Sequence, residues 1–274
     1  MELTPAELDR VVAAALAEDV GSGDVTTDTL VPADARCRAE LLLEEPGIVC
    51  GVPVAAAVFR ALDPSVEVEA VLGEGTAVTE TPALVARIEG PARAILTGER
   101  VALNLFARLC GIASLTRRHA ELLEGTHAQI LDTRKTTPGL RALEKYAVRT
   151  GGGTNHRSGL YDAVLVKENH LRIAGGISAA AAAFNGTPIE VEAETLAQVD
   201  EALAAGVTRI LLDNMTPEQV GAAVRLTEGR AELEASGGIS LATIRSYAET
   251  GVNFISVGGL THSARSLHVS LEVL

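Results

Sequence analysis

From Gln129 to Val257 the sequence alternates six times between a short apolar run and a longer helical stretch, and this limits the fold more than any other feature. The apolar runs are Gln129–Leu131, Ala163–Val166, Ile189–Val191, Arg209–Leu212, Ala231–Glu234 and Phe254–Val257. Helical patterns fall between them, over 139–149, 177–184, 194–205, 216–228 and 240–249. Strands joined through helices pair in parallel, because the crossover brings the chain back to the end of the sheet from which it left. The expected fold class is therefore α/β. Six units fall short of the eight of a closed barrel, which points to an open, incomplete parallel α/β barrel. A doubly wound sheet is the alternative that this pattern leaves open.

The residues before this array read differently. Strand-like runs at Arg36–Leu43, Val66–Val71 and Leu84–Leu96 are separated by Pro46-Gly47, Asp63-Pro64, Gly73–Gly75 and Gly90-Pro91, with a helix expected over Val54–Leu62. Thr4, Pro5 and Glu7 form a helix-start signature ahead of an apolar face of Leu8, Val11, Val12, Ala15 and Leu16. Glu18–Thr27 reads as a polar loop. A long helix is expected from Gly98 to about Leu123, with Gly125 beyond its end. It would join a first domain, 1–106, to a second, 107–259. The segment 260–274 has no evident strand partner and is expected to return to the first domain.

Several function classes fall away. No apolar run is long enough to cross a bilayer. The opening Met1-Glu2-Leu3-Thr4-Pro5 has neither a basic region nor an apolar one, so no secretory leader and a cytoplasmic location are expected. Cys37, Cys50 and Cys110 are scattered without metal-ligand spacing and read as reduced thiols. A net charge of −13 argues against nucleic-acid and membrane-surface partners.

Against that acidic background, the cations gather in one place. All three lysines, Lys135, Lys145 and Lys167, lie between Leu131 and His170, together with Arg134, Arg141, Arg149 and Arg157. Such focusing suits a small, strongly anionic ligand. Arg141, Lys145 and Arg149, at helical spacing, can equally be a solvated helix face. Gly151-Gly152-Gly153 reads as a mobile loop near the site.

Chemistry in a parallel barrel sits at the C-terminal ends of its strands, where the connecting loops converge. Here those ends carry Asp132, Arg134 and Lys135; Lys167; Glu192; Asp213 and Asn214; Ser236, Gly237 and Gly238; and Gly258 with Gly259. Glycines before a helix expose backbone N–H groups to phosphate. Arginines fork onto carboxylates, and carboxylates hold sugar hydroxyls or Mg²⁺. A phosphorylated sugar and a polycarboxylate are the implied ligands.

Over nearly its whole length the chain resembles the quinolinate phosphoribosyltransferase family, the carboxylating nicotinate-nucleotide pyrophosphorylases. The matching stretches are Glu18–Thr27, Gly98–Ser114, Asp132–Arg141, Gly151–His170, Glu190–Glu194, Leu211–Asn214, Glu234–Ile239 and Ser256–Ser263. The resemblance implies an N-terminal α/β sandwich domain followed by an open α/β barrel. It implies transfer of phosphoribosyl from phosphoribosyl pyrophosphate to quinolinate, with Mg²⁺, giving nicotinate mononucleotide, pyrophosphate and carbon dioxide. Arg134, His156, Arg157 and Lys167 match quinolinate ligands, and Lys135 matches a contact to substrate or pyrophosphate. Glu192 and Asp213 match carboxylates near the ribose hydroxyls and metal; Lys135, Lys167, Glu192 and Asp213 are the expected catalytic set. Ser236, Gly237, Gly238 and Gly258 match the 5′-phosphate binder. The family resemblance also implies a homodimer, or a hexamer built from such dimers, with Arg100 reaching the neighbouring subunit's site. Arg100 would lie in the first turn of the long helix, where the helix dipole disfavours a cation that has no other reason to be there. Cys110 and Gly259 depart from the family's usual serine and alanine.

Two other readings fit part of the pattern. Lys167 at a strand end could form a Schiff base, as in aldolases; that chemistry does not need so many cations. A non-catalytic or altered-substrate relative, such as the molybdenum-transport-associated paralogue, would not need the full set Arg134, His156, Arg157 and Lys167.

Overall fold

A computed structural model describes residues 3–274; Met1 and Glu2, the start of the opening read above, lie outside them. The chain begins with α1 (Pro5–Val20), whose Thr4 and Glu7 exchange the two hydrogen bonds of a capping box and whose Val11, Val12 and Leu16 are buried. Helix α2 (Val25–Leu30) follows, started by the Asp24 side chain, which accepts from Thr27 N. The polar loop expected over Glu18–Thr27 is thus only the turn between two helices. Next come β1 (Arg36–Leu43), β2 (Gly47–Ile48), α3 (Val52–Leu62), β3 (Glu67–Ala70), β4 (Ala77–Val78), β5 (Ala83–Pro91) and α4 (Ala92–Glu121). The strand expected to reach Leu96 stops at Pro91. Proline has no N–H for the ladder, and its fixed φ suits a helix start, so α4 begins one residue later.

The rest of the chain supplies β6 (Gln129–Leu131), α5 (Arg141–Thr150), β7 (Leu165–Val166), α6 (Glu168–Ala174), α7 (Ile177–Ala183) and β8 (Glu190–Ala193). After these come α8 (Leu196–Ala204), β9 (Arg209–Asp213), α9 (Pro217–Thr227), β10 (Glu232–Ser236), α10 (Ile244–Ala248), β11 (Phe254–Ser256), α11 (Gly259–His262) and β12 (Val269–Val273).

Two units divide the chain. The first comprises the residues up to Arg117, Thr136–Gly152 and Thr261–Leu274. Its main sheet has the order β12-β1-β5-β3, antiparallel at every pairing. The C-terminal strand β12 pairs with β1 over Ala39–Leu43. Helix α5 also belongs here, and on it the expectation of a solvated cationic face is overturned. Lys145 is fully buried and Arg141 and Arg149 are half-buried. Buried Glu144 on the same helix accepts from Arg108 at 2.8 Å. Gly151 closes α5 as a packed turn, and a Cβ there would lie 2.4 Å from Ala113 O.

The second unit, Arg118–Lys135 with Gly153–Leu260, holds six parallel strands in the order β6-β11-β10-β9-β8-β7. From β7 to β11 each strand lies beside its predecessor with no reversal of direction. Right-handed crossovers then put the helices on one face, which is barrel winding and excludes the doubly wound alternative. β6, the first strand, pairs with β11, the last, and not with β7, so the barrel is open. Part of the free edge of β6 is taken by the chain after Gly153. Thr154 bridges Leu131 in parallel, donating to Ile130 O and accepting from Asp132 N.

Side chains of a strand alternate between faces. Val191, Ala193, Ile210, Leu212, Leu233, Ala235, Ile255 and Val257 are all buried and apolar. Alternating with them are the polar residues Glu190, Glu192, Arg209, Asp213, Glu234, Ser236 and Ser256, with buried Leu211 as the apolar exception on β9. The same alternation that builds the core therefore delivers one polar face.

Candidate active site

That polar face opens into a cavity of about 520 Å³ within the second unit. Ten of the residues expected from sequence line it: Arg134, Lys135, His156, Arg157, Lys167, Glu192, Asp213, Ser236, Gly237 and Gly238. Thr133, Asn214, Glu234 and Ser256 line it as well. Arg141, Lys145 and Arg149, from the same sequence cluster, are on α5 and are not part of this lining.

One cation of the lining has an unsatisfied donor. Arg134 Nε is buried and has no hydrogen-bond partner among the described residues. Burial pulls the Arg157 pKa down, and the neighbouring Arg134 charge adds to the effect. Asp162 and Glu190 offset part of that effect, and the unpartnered Arg134 Nε beside a second guanidinium suits this part of the cavity to an anion. Arg157 Nη1 donates to Ala163 O at 3.3 Å.

Opposite charges come from the strand ends of β8 and β9. Glu192 accepts from the Glu168 N–H at the start of α6 at 3.2 Å, and its other oxygen lies 4.0 Å from Lys167 Nζ. Burial raises the Glu192 pKa, and the charge of Asp213 raises it further. Asp213 accepts from the Asn214 side chain at 2.7 Å. These two carboxylates are the hard oxygen donors of the cavity.

The loop after β10 is shaped for close approach. Gly237 and Gly238 have φ of 101° and 63°, and a Cβ on Gly237 would lie 2.3 Å from Asn214 Oδ1. Only glycine satisfies both demands. Replacing Gly237 by Ala should displace Asn214 and the strand end it joins. The expected result is at least about 1 kcal/mol of lost stability, readable as a lowered denaturant midpoint, together with reduced activity.

Two expected residues fall elsewhere. Gly258 follows β11 but is not part of the lining. Arg100 is exposed on α4 in the first unit, in a hollow formed with Asp19, Asp24 and Thr97. It lies well inside a helix that starts at Ala92, so no dipole argument applies to it.

A buried charge cluster at the cavity floor was not anticipated. His156 Nε2 lies 3.1 Å from Glu190 Oε2 and 3.4 Å from Glu234 Oε2. Arg209 donates to both carboxylates, at 3.1 Å to Glu190 and 2.9 Å to Glu234, and stacks 4.3 Å from the Phe254 ring centroid. Glu190 and Glu234 are buried. Two-residue steps back from Glu192, and from Ser236, reach Glu190 and Glu234, and four residues back from Asp213 is Arg209. Strand periodicity applied to the site residues would have found all three. Among the described residues His156, Glu190 and Glu234 are the one trio with metal-ligand spacing. The Arg209 guanidinium already supplies that trio with its cation.

Comparisons with known proteins agree over the whole chain. Residues 24–110 match the family model of the quinolinate phosphoribosyl transferase N-terminal domain, and residues 112–272 that of the C-terminal domain. A probable nicotinate-nucleotide pyrophosphorylase (carboxylating) of Bacillus subtilis is 44% identical, covering 93% of this chain and 90% of its own length. A quinolinate phosphoribosyltransferase (decarboxylating) of Nicotiana tabacum is 40% identical over 97% of this chain and 82% of its own length. The structure of nicotinate-nucleotide pyrophosphorylase from Francisella tularensis superposes with a TM-score of 0.94 at 37% identity, covering 100% of this chain and 98% of the other.

Proposed function

The chain belongs to the quinolinate phosphoribosyltransferase family, and from that membership we propose how the residues of the cavity perform the family's reaction. The enzyme joins quinolinate to phosphoribosyl pyrophosphate with decarboxylation, giving nicotinate mononucleotide, pyrophosphate and carbon dioxide for NAD biosynthesis. The observation that carries the assignment of roles is the cavity lining, with four cations, the carboxylates of Glu192, Asp213 and Glu234, and a glycine loop at the C-terminal ends of parallel strands.

Arg134 and Arg157 bind the two carboxylates of quinolinate; the unpartnered Arg134 Nε supports this. Gly237 and Gly238, with Ser236, receive the 5′-phosphate through backbone N–H groups. Gly258, in the next loop, after β11, completes that phosphate binder. Glu192 and Asp213 hold the ribose hydroxyls. They also fit Mg²⁺, since both are oxygen donors and one depresses the ionisation of the other. When bound, Mg²⁺ supplies positive charge to the departing pyrophosphate.

Breaking the C1–pyrophosphate bond builds positive charge on the ribose and negative charge on the leaving group. Lys135 and Lys167 meet the latter, and Glu192 and Asp213 lie near the former. The quinolinate nitrogen attacks C1, and the ring becomes a pyridinium. The bond from the adjacent ring carbon to its carboxylate then breaks toward the ring, carbon dioxide leaves, and the carbon takes a proton. Little acid–base chemistry is needed, so orientation is the main task of the protein. We place the enzyme in the cytoplasm as a homodimer, or a hexamer of such dimers, in which Arg100 completes the neighbouring subunit's site.

Arg157→Ala tests the assignment. It should raise the KM for quinolinate strongly, by about 2–5 kcal/mol, the cost of removing one partner from a desolvated charge pair. Steady-state kinetics should show the KM for phosphoribosyl pyrophosphate nearly unchanged. Unchanged quinolinate kinetics would remove Arg157 from the substrate site.

A further inference from the structure

We infer that Arg209, Glu190 and Glu234 form a buried relay that acts through His156 to hold Arg157 in place, so that His156 is a positioning residue rather than a ligand of the substrate. The inference rests on the proposed role of Arg157 in binding quinolinate.

The ring of His156 leaves little for a ligand to bind. Nε2 is buried and enclosed by the carboxylates of Glu190 and Glu234. Nδ1 accepts the peptide N–H of Arg157 at 2.7 Å. The backbone of His156 is held too, donating to Asp132 Oδ1 at 2.9 Å, while Asn155 Nδ2 donates to the other oxygen of Asp132 at 2.5 Å. Asp132 is fully buried. The peptide that carries Arg157 is therefore fastened from two sides.

One of those fastenings leads away from the cavity. Arg209 does not line it. Its guanidinium forks between Glu190 and Glu234 and is braced by Phe254. Without that fork the two buried carboxylates would repel each other and turn, and the imidazole between them would follow. A displacement of about 1 Å in a positioned group can cost roughly a hundredfold in rate. Burial lowers the His156 pKa, but the hydrogen bonds and charges of Glu190 and Glu234 outweigh it and raise it to about 9; the Arg157 N–H contact at Nδ1 belongs to the ring that carries its one proton on Nε2.

The experiment compares Arg209→Met, which keeps the packing on Phe254, with the triple variant Glu190→Gln, Glu234→Gln, Arg209→Met, which removes the buried charges together. If the single variant does not fold, the triple variant carries the test, because replacing a buried ion network by neutral groups is commonly tolerated. Quinolinate KM should rise roughly ten- to a hundredfold in both, while the KM for phosphoribosyl pyrophosphate stays within about twofold and the triple variant melts near wild type. Adding either set to Arg157→Ala should cost little more than Arg157→Ala alone, since both act on one guanidinium. A folded triple variant with wild-type quinolinate KM overturns the relay. So does an equal rise in both KM values, or full additivity with Arg157→Ala. If Arg157→Ala itself leaves quinolinate KM unchanged, the underlying assignment fails and the relay with it.

Discussion

Arg100→Ala should be nearly inactive yet folded and dimeric, and Lys167→Ala should be inactive as well, while a mixture of the two recovers activity. Arg100 is exposed on α4 and far in sequence from the strand-end loops, in a hollow where Asp19 and Asp24 are its neighbours. Those two carboxylates offer it a purely local role. Lys167 lines the cavity at the end of β7, 4.0 Å from Glu192. If each site of a two-fold dimer takes Lys167 from one chain and Arg100 from the other, a hybrid dimer contains one site with both residues intact and one with neither. Random exchange makes about half of the dimers hybrid, so the mixture should regain roughly a quarter of wild-type activity. Hybrid formation is followed with differently tagged chains. Hybrids that form without regain of activity would confine Arg100 to its own chain, where Asp19 and Asp24 account for it.

Nicotinate should be a very poor substrate beside quinolinate. The cavity lining has the four cations Arg134, Lys135, Arg157 and Lys167, and the buried Arg134 Nε beside Arg157 has no hydrogen-bond partner among the described residues. Quinolinate brings two carboxylates to that region, and nicotinate brings one. A guanidinium left desolvated and unpaired is the kind of loss that lets sites reject an analogue by roughly 10⁴-fold in kcat/KM. Nicotinate also lacks the carboxylate that leaves as carbon dioxide in the proposed reaction. Comparable turnover of the two acids would show that the cations serve only phosphate groups.

The positions of the strands were legible in the sequence because apolar residues recur at every second position or in short runs and the breaks carry glycine, proline or charge. β1 and β6 were read to the residue, and the other barrel strands to within about two residues at each end, which is the ordinary uncertainty of hydrogen-bond boundaries. The strand-end residues of the cavity were legible for the same reason: parallel winding sends every C-terminal strand end to one rim, so Lys167, Glu192, Asp213 and Ser236 had to meet there. Arg134, Lys135, His156 and Arg157 could be added from the family resemblance and the local excess of positive charge.

Tertiary structure decided what depends on pairing between distant segments. Sequence neighbours Lys135 and Lys145 part company because the chain from Thr136 to Gly152 packs into the first unit, where α5 buries Lys145 instead of presenting it to solvent. The winding of the sheet, open between β6 and β7, follows from which edges find hydrogen bonds, and local periodicity carries no information about that. Periodicity puts Arg209, Glu190 and Glu234 on the polar face, but that they are partners was not legible, for a related reason. An arginine and two glutamates on three different strands look like isolated surface charges until strand register sets them side by side; only then does mutual neutralisation explain how such charges are tolerated in a core. The sequence by itself determined the elements and the polar rim, which follow from period and composition; tertiary structure alone decided which charges are partners, because partnership is a matter of distance in space.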